Sequence, residues 1–437
     1  MHATLKRLLG LMSCCFFVAV ASAQTLSIDI VNGSPSARPI AVVPMAYEGG
    51  GLPLDTDISA VISADLNRSG QFKALARDDI IEYPVRQSEV KFPTWRMLKQ
   101  DHLVIGRVLD AGAGTVRIEF ELHDVATQAR LLGLAVGGRR SDLRGAAHQI
   151  ADFIYEKITG VRGAFWTRMA YVTSTGLGKN TQYALMVADS DGYSPQVVVR
   201  SQEPLMSPAW SPDSKKLAYV SFERGSSTIY MQELTTGSRQ ILASFRGING
   251  APAFSPDGSK LALTLSQTGN PEIYLMDLAN RQTTRLTKHF AIDTEPVWMP
   301  DGQTLVFTSD RAGKPQLYQV PVAGGEASRI TFQGEYNARA TIAGDGNKIA
   351  MAQGAGNVYR IAVLDRSRGG AEWTQLSPGS LDESPSFAPN GSMVLYAARE
   401  GKRGVLYAVS VDGRVRQRLV LADGDVREPA WSPFRQR

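Results

Sequence analysis

The stretch PAWSPDSKKLAYVS, Pro208 to Ser221, decides how the rest of the chain is read. Close variants recur as PAFSPDGSKLALTL from Pro252, PVWMPDGQTLVFTS from Pro296 and PSFAPNGSMVLYAA from Pro385. A divergent copy, ATIAGDGNKIAMAQ, begins at Ala340, and a truncated one, PAWSPFRQR, begins at Pro429. Successive starts are 44, 44, 44, 45 and 44 residues apart. A fixed period of this size with β-patterned content is the mark of propeller blades.

Each period carries four strand-like pieces. The PAWSP piece comes first, followed by a tight turn reading Pro-Asp-Ser, Pro-Asp-Gly, Gly-Asp-Gly or Pro-Asn-Gly. A second piece reads KLAYVS or TLVFTS, and a third centres on Tyr230, Tyr274, Tyr318, Tyr359 or Tyr407. The fourth reads SRQILA, TTRLT, SRIT, WTQLS or RQRLV. Short β-rich runs divided by turn residues predict four-stranded antiparallel sheets. Such sheets, stacked radially, bury their faces against their neighbours.

Five periods are complete. Residues 165 to 201 hold MAYVTS, QYALMVAD and PQVVVRS, which are strands two to four of a blade without its first strand. Pro429 to Pro433 is a first strand without its blade. Joining them predicts six blades and a ring closed by non-contiguous chain, so that neither terminal blade keeps an open edge. It also explains why the sequence stops there. An open solenoid of the same period would need polar caps at its ends. Here the end pieces are apolar and complementary.

The region before the ring has another texture. RPIAVVPM reads as a buried strand. Asp55 to Ser69 reads as an amphipathic helix with Ile58, Val61, Ile62 and Leu66 on one stripe and Gly70 as its stop. HLVIGRVLD and TVRIEFELHDV read as paired strands in which Val116, Ile118, Phe120 and Leu122 alternate inward. Ser141 to Ile158 reads as a second helix, capped by Ser141 and stopped by Gly160, with the stripe Leu143, Ala147, Ile150, Ile154, Ile158. The fold class expected is therefore mainly β: a six-bladed propeller of four-stranded blades preceded by a small α/β domain. The domain division expected is a cleaved signal peptide over 1–23, the α/β domain over 24–160 and the propeller over 161–437, with a mobile mature N-terminus over 24–34.

The first residues read as an export signal. Lys6 and Arg7 precede an apolar run from Leu8 to Val20, and Ala21-Ser22-Ala23 is a small-residue cleavage site, so cleavage is expected between Ala23 and Gln24. The run is too short to span a bilayer as a mature helix. A lipoprotein signal at Leu11-Met12-Ser13-Cys14 is the competing reading, but it would leave CCFFVAVASA exposed. Cleavage takes Lys+Arg from 47 to 45 against 42 acids, a net charge of about +3 with both signs dispersed. That argues against nucleic acid as a partner. Both cysteines, Cys14 and Cys15, leave with the signal, so the mature chain has neither thiols nor disulfides.

Catalytic chemistry has little to work with. The mature histidines are His102, His123, His148 and His289, and only His289 lies in the ring, which removes a histidine metal centre from its channel. There is no G-x-S-x-G, H-E-x-x-H or Walker A sequence. GLGKNT at Gly176 precedes a strand rather than opening a helix and reads as a loop. ADSDGY, with Asp189, Asp191 and Gly192, weakly resembles a calcium loop but lacks its later Glu, and reads as an Asp-Gly hairpin. Asp213, Asp257 and Asp301 shape turns, and Trp210, Phe254, Trp298, Phe387 and Trp431 pack blades. No metal or cofactor is expected.

What remains is surface. The segments before the inner strands cluster at one mouth of the ring: LMS at Leu205, ING at Ile248, DTE at Asp293, YNAR at Tyr336, DES at Asp382 and VRE at Val426. Loops on a rigid scaffold are favoured recognition sites. The candidate residues are Met206, Ile248, Asn249, Thr294, Glu295, Asn337, Arg339, Asp382, Glu383, Arg427 and Glu428.

The PAWSPDG…KLAYVS…IYLMDL…TTRLT repeat, preceded by RPIAVVPM and a small α/β domain after a signal peptide, resembles the TolB family over essentially the whole chain. That family supplies the periplasmic component of the Tol-Pal envelope system of Gram-negative bacteria. Prolyl-oligopeptidase-like and lyase propellers share the repeat, but here no hydrolase domain follows and the channel lacks histidines. The resemblance implies a monomeric, non-enzymatic periplasmic adaptor serving outer-membrane integrity and envelope constriction at cell division. It implies that the mouth residues bind the peptidoglycan-associated lipoprotein Pal. It implies that Gln24, Thr25, Leu26, Ser27, Ile28, Asp29 and Ile30, within a segment reaching about Ser34, contact the C-terminal domain of the inner-membrane protein TolA. One departure stands out: family members often carry a His before GAPAWSP, where this chain reads Ile248-Asn249-Gly250. The rival reading is an exported propeller enzyme or carbohydrate binder that uses the central channel.

Overall fold

The computed structural model describes residues 37–50, 52–367, 370–419 and 424–436. The signal cleavage pair and the N-terminal contact segment, Ala23 to Ile30, lie outside the described residues.

The first part is a mixed sheet of six strands: β1 (Arg38–Val42), β2 (Ala46–Glu48), β3 (Phe72–Ala74), β4 (His102–Gly112), β5 (Thr115–Asp124) and β6 (Arg130–Arg139). Its order is β3-β1-β4-β5-β6, with β2 also pairing β4. β1 runs parallel to β3 and β4, whereas β4, β5 and β6 are antiparallel. Helices α1 (Ile58–Arg68) and α3 (Leu143–Thr159) bury their stripes against one face, meeting Ile118, Phe120 and Leu122. A short helix, α2 (Phe92–Met97), brings Trp95 onto the other face.

Both predicted helices form, with two adjustments. Asp57 caps α1 by accepting from the Ala60 amide at 3.1 Å, so the helix starts later than Asp55. Asp142, not Ser141, caps α3, accepting from the Gly145 amide at 3.1 Å. A carboxylate at this position also meets the positive end of the helix dipole. Gly160, at φ 77°, stops α3 as expected. Strand β6 had no expectation behind it: its RLLGLAVGGR sequence is rich in glycine and breaks the alternation that marks a strand.

The second part is the six-bladed ring. Five four-stranded sheets are contiguous in sequence, and the sixth joins the strand Asp425–Trp431 to Arg168–Thr175, Gln182–Asp189 and Gln196–Ser201. We number that closing blade 1 and continue along the chain. The inner strands of blades 2 to 6 are Leu205–Trp210, Asn249–Phe254, Asp293–Trp298, Tyr336–Ile342 and Glu383–Phe387.

Six apolar clusters link the blades in a cycle. Leu185 meets Trp210, Ile229 meets Leu261, and Ile273 meets Phe307. Val306 shares a cluster with Ile349, Ile361 with Tyr396, and Leu406 with Met169, which returns to blade 1. No sheet face is left uncovered, which is what makes a four-stranded blade stable. The inner-strand tryptophans add a bond between blades: Trp210 Nε1 donates to the Ala430 carbonyl and Trp298 Nε1 to the Ala253 carbonyl, both at 3.0 Å. The mainly β ring after an α/β domain is the predicted fold class.

Candidate functional site

The register of each blade fixes its two ends. Leu205 pairs with Ser221, which pairs with Thr228. The start of an inner strand, the end of the second and the start of the third therefore share one end, the mouth. The Pro-Asp-Gly turns lie at the other end, where Asn390 donates to the Arg162 carbonyl and Gln417 to the Arg68 carbonyl. The α/β domain thus covers the face opposite the mouth. In those turns Asp213 and Asp301 accept amides of Lys215 and Gln303, the shaping role expected of them.

Every inner strand has a β-bulge within its first four residues. The bulge residues Ser207, Ala251, Glu295, Arg339, Ser384 and Glu428 all have left-handed backbones, φ 45 to 55°. None is glycine, so each conformation costs about 1 kcal/mol. The extra residue on the bulged strand turns its side chain out of the alternating pattern.

Three of the six are charged, and they meet. Arg339 Nε lies 2.9 Å from Glu295 Oε1, and its Nη1 lies 3.1 Å from Glu428 Oε1 and also contacts Ser384 Oγ. Glu428 further accepts from the Ser207 amide at 3.2 Å. Arg339 belongs to blade 5 and Glu428 to blade 1, with blade 6 between them. Such a contact can form only near the ring axis, so this cluster plugs the channel. Burial works against the Arg339 charge, but Glu428, Glu295 and Glu383 outweigh it and hold its pKa far above the usual arginine value.

The segments expected to precede the inner strands mostly form their first residues, with Ile248 and Asp382 just before them, and they divide into three layers. Asn249, Asn337 and Asp382 are buried and hold the incoming loops. Asn249 bonds the Phe245 amide and carbonyl at 2.8 and 2.7 Å, Asn337 donates to the Gln333 carbonyl at 2.8 Å, and Asp382 accepts from the Gly379 amide at 3.0 Å. Glu295, Arg339 and Glu428 form the channel plug. Met206, Ile248, Glu383 and Arg427 face solvent, and Thr294 is half-buried beside Thr264. Of the candidates, solvent can therefore reach the last group most directly.

Ile248 was among the expected candidates, but the exposed feature it belongs to was not expected. The residue before each buried anchor is Ile248, Ile292, Tyr336 and Leu381 in blades 3 to 6. Ile248, Ile292 and Leu381 are 49%, 46% and 43% exposed. Phe290 and Phe332, on the same loops, are 87% and 76% exposed. Together they make a partial apolar collar, over blades 3 to 6, beside the charged axis. The repeat position carried the signal, because apolar residues recur there at the start of successive inner strands. Beside the collar, Tyr336, Tyr359, Leu381, Glu383, Arg399 and Arg427 line a depression of about 570 Å³.

Among the described residues, one trio is spaced to hold a metal ion: Asp65, His148 and Asp191. It lies at the joint between the domains, not in the channel. Arg68 and Arg144 already bond Asp65 and Asp191, so the site balances its own charge and does not fit a cation. The ADSDGY hairpin is thereby more than a turn, since its Asp191 reaches the α/β domain.

Comparison with known proteins agrees with this architecture. The model of the TolB amino-terminal domain matches residues 26–131, and that of the TolB beta propeller domain matches residues 155–435. The chain is 70% identical over 417 residues to the Tol-Pal system protein TolB of Xanthomonas campestris pv. campestris, covering 95% of each. It is 71% identical over 417 residues to that of Xanthomonas oryzae pv. oryzae, again covering 95% of each. Among solved structures it is similar to TolB from Acinetobacter baumannii, with a TM-score of 0.84 and 41% identity over 94% of this chain and 100% of that one.

Proposed function

The chain belongs to the TolB family of Tol-Pal system proteins, and from that premise we propose that it is a non-enzymatic periplasmic adaptor that binds Pal at the propeller mouth and TolA through its mature N-terminus. The observation that carries the reading is the collar. Exposed apolar groups arranged beside a polar centre, on loops anchored from beneath, are what a protein partner needs and a small substrate does not. Buried Asn249, Asn337 and Asp382 hold the loops, so little ordering remains to be done on binding.

Residues 24 to about 34 supply the TolA contact. Occupancy of the mouth and availability of the N-terminus are coupled, so that Pal shifts the affinity for TolA; by linkage TolA shifts the affinity for Pal by the same factor. No helix among the described residues is long and apolar enough to cross a membrane, which fits work between two membranes.

A photo-crosslinking amino acid placed at Ile248 or Glu383 in living cells is expected to give a covalent adduct with Pal. The same group at Ala135, exposed on the α/β domain, is expected to give none. Adducts from Ala135 alone would move the site off the ring, and a Pal-free pattern at all three positions would remove the partner.

A further inference from the structure

The joint between the two domains carries a buried cluster of charges beside a mostly apolar contact in which Tyr155 and Phe165 share a cavity wall with Ala388, Met393 and Ala408. Helix α1 contributes Asp65 and Arg68. Helix α3 contributes Arg144, His148 and Asp152. The turn after the third strand of blade 1 contributes Asp189, Ser190 and Asp191. His148, Asp65 and Asp191 are 2%, 1% and 8% exposed.

The His148 ring lies between carboxylates of the two domains. Its Nδ1 is 2.6 Å from Asp65 Oδ2, in the α/β domain. Its Nε2 is 3.6 Å from Asp191 Oδ2, in the propeller, and has no hydrogen-bond partner. Arg68 Nε bonds Asp65 at 3.0 Å, and its Nη2 donates to Ser190 Oγ at 3.0 Å. Arg144 bonds Asp191 and stacks over Tyr193. Arg68 also lines a cavity of about 30 Å³ at the joint, where it, Ser190 and Gln417 stand among mostly apolar neighbours.

The two protonation states of the ring differ in what they can do here. A neutral imidazole whose Nδ1–H is held by Asp65 presents a lone pair at Nε2 toward a second carboxylate, which is repulsive. An imidazolium donates from both nitrogens. We propose that the joint is a proton-dependent clasp, in which the His148 imidazolium ties Asp65 of the α/β domain to Asp191 of the propeller.

The energetics run in the same direction. Burial pulls the His148 pKa down, but Asp65 and Asp191 outweigh both burial and Arg68 and hold it above its ordinary value. A raised folded-state pKa gives a contribution that is complete below about pH 6.5 and is lost as pH rises through the folded value. Burial pushes Asp152 up to about 7, and its carboxyl accepts the Phe165 and Trp166 amides where the chain enters the ring. By linkage the cost of ionising buried Asp152 builds as pH rises from the ordinary carboxylate range to about 7 and does not grow beyond it. Burial raises Asp189 as well, whereas His148, Arg68 and Arg144 overcome burial and keep Asp191 low. The clasp therefore loosens as pH rises through the folded-state value of His148, which lies above its ordinary one.

The mature chain has no cysteine, so spin labels can be placed cleanly at Ala135→Cys and Ala279→Cys, both exposed and one in each domain. The distribution of distances between them is expected to broaden as pH is raised from about 6 through the titration of His148. In His148→Gln it is expected to be broad and independent of pH. Histidine-selective NMR of the parent is expected to show His148 titrating above 6.5, with its proton affinity falling at least about tenfold in Asp191→Asn. A His148 ring that stays neutral from pH 5.5 upward, or a parent distribution unchanged by pH, would overturn the proposal. Both readings use the unmodified joint, so misfolding of either variant leaves the test intact.

Discussion

A chain ending at Leu419 will lose the cooperative unfolding of the ring. The strand Asp425–Trp431 is the inner strand of blade 1, and its removal opens the edge of Arg168–Thr175. It also removes the Trp431 Nε1 bond to Thr167 at 2.8 Å and leaves Trp210 Nε1 without the Ala430 carbonyl. Buried Val426 and half-buried Trp431 leave their clusters, each side chain worth about 1.5–3 kcal/mol. With the lost ladder the deficit reaches about 5 kcal/mol or more, comparable with the whole stability of a typical domain. Calorimetry is expected to show a broad, weak transition, and a peptide of residues 424–437 added in trans is expected to restore a sharp one. A truncated chain melting cooperatively within a few degrees of the parent would mean that the ring closes in another way.

Arg339→Ala will destabilise the ring by about 2–4 kcal/mol, below the full value for breaking a buried pair because the side chain is 27% exposed. The loss arises because Glu295 and Glu428 are left facing one another at the axis. Charge is the cause, so the further changes Glu295→Gln and Glu428→Gln should recover most of the loss. Denaturant melts of the single and triple variants test this. A single variant within about 0.5 kcal/mol of the parent would place these charges in the class of solvated surface pairs. For the same reason Arg339→Ala is a poor probe of partner contact. It perturbs the scaffold beneath the mouth, whereas Ile248 and Ile292 can be changed without removing a charge from the axis.

The architecture was legible because a repeat multiplies its own signal. One PAWSPDG segment is ambiguous, but five at a constant spacing, with the missing strand found at Pro429, leave one closure. Strand β6 was not legible, since Gly133, Gly137 and Gly138 carry no alternation. At the mouth the segments were legible but the orientation of their side chains was not. A bulge moves Glu295, Arg339 and Glu428 toward the axis, and the residues at the bulges, Ser, Ala, Glu, Arg, Ser and Glu, share no side-chain chemistry. The proline that follows five of the six bulges was a usable clue, because a residue before proline is conformationally restricted. The interdomain cluster was the least visible. Asp65 and His148 are 83 residues apart, and Asp191 sits in a hairpin whose local reading is complete without any partner.

The central claim is that the mouth is a protein-binding surface for Pal. Its most direct test is calorimetric titration of the mature chain, from residue 24, with the periplasmic domain of Pal from the same organism. Saturable binding is expected, weakened at least about tenfold by Ile248→Asp together with Ile292→Asp, with the melting curve unchanged; tenfold corresponds to about 1.4 kcal/mol. Absence of binding at high protein concentration, with both partners folded, would contradict the claim and return attention to the channel.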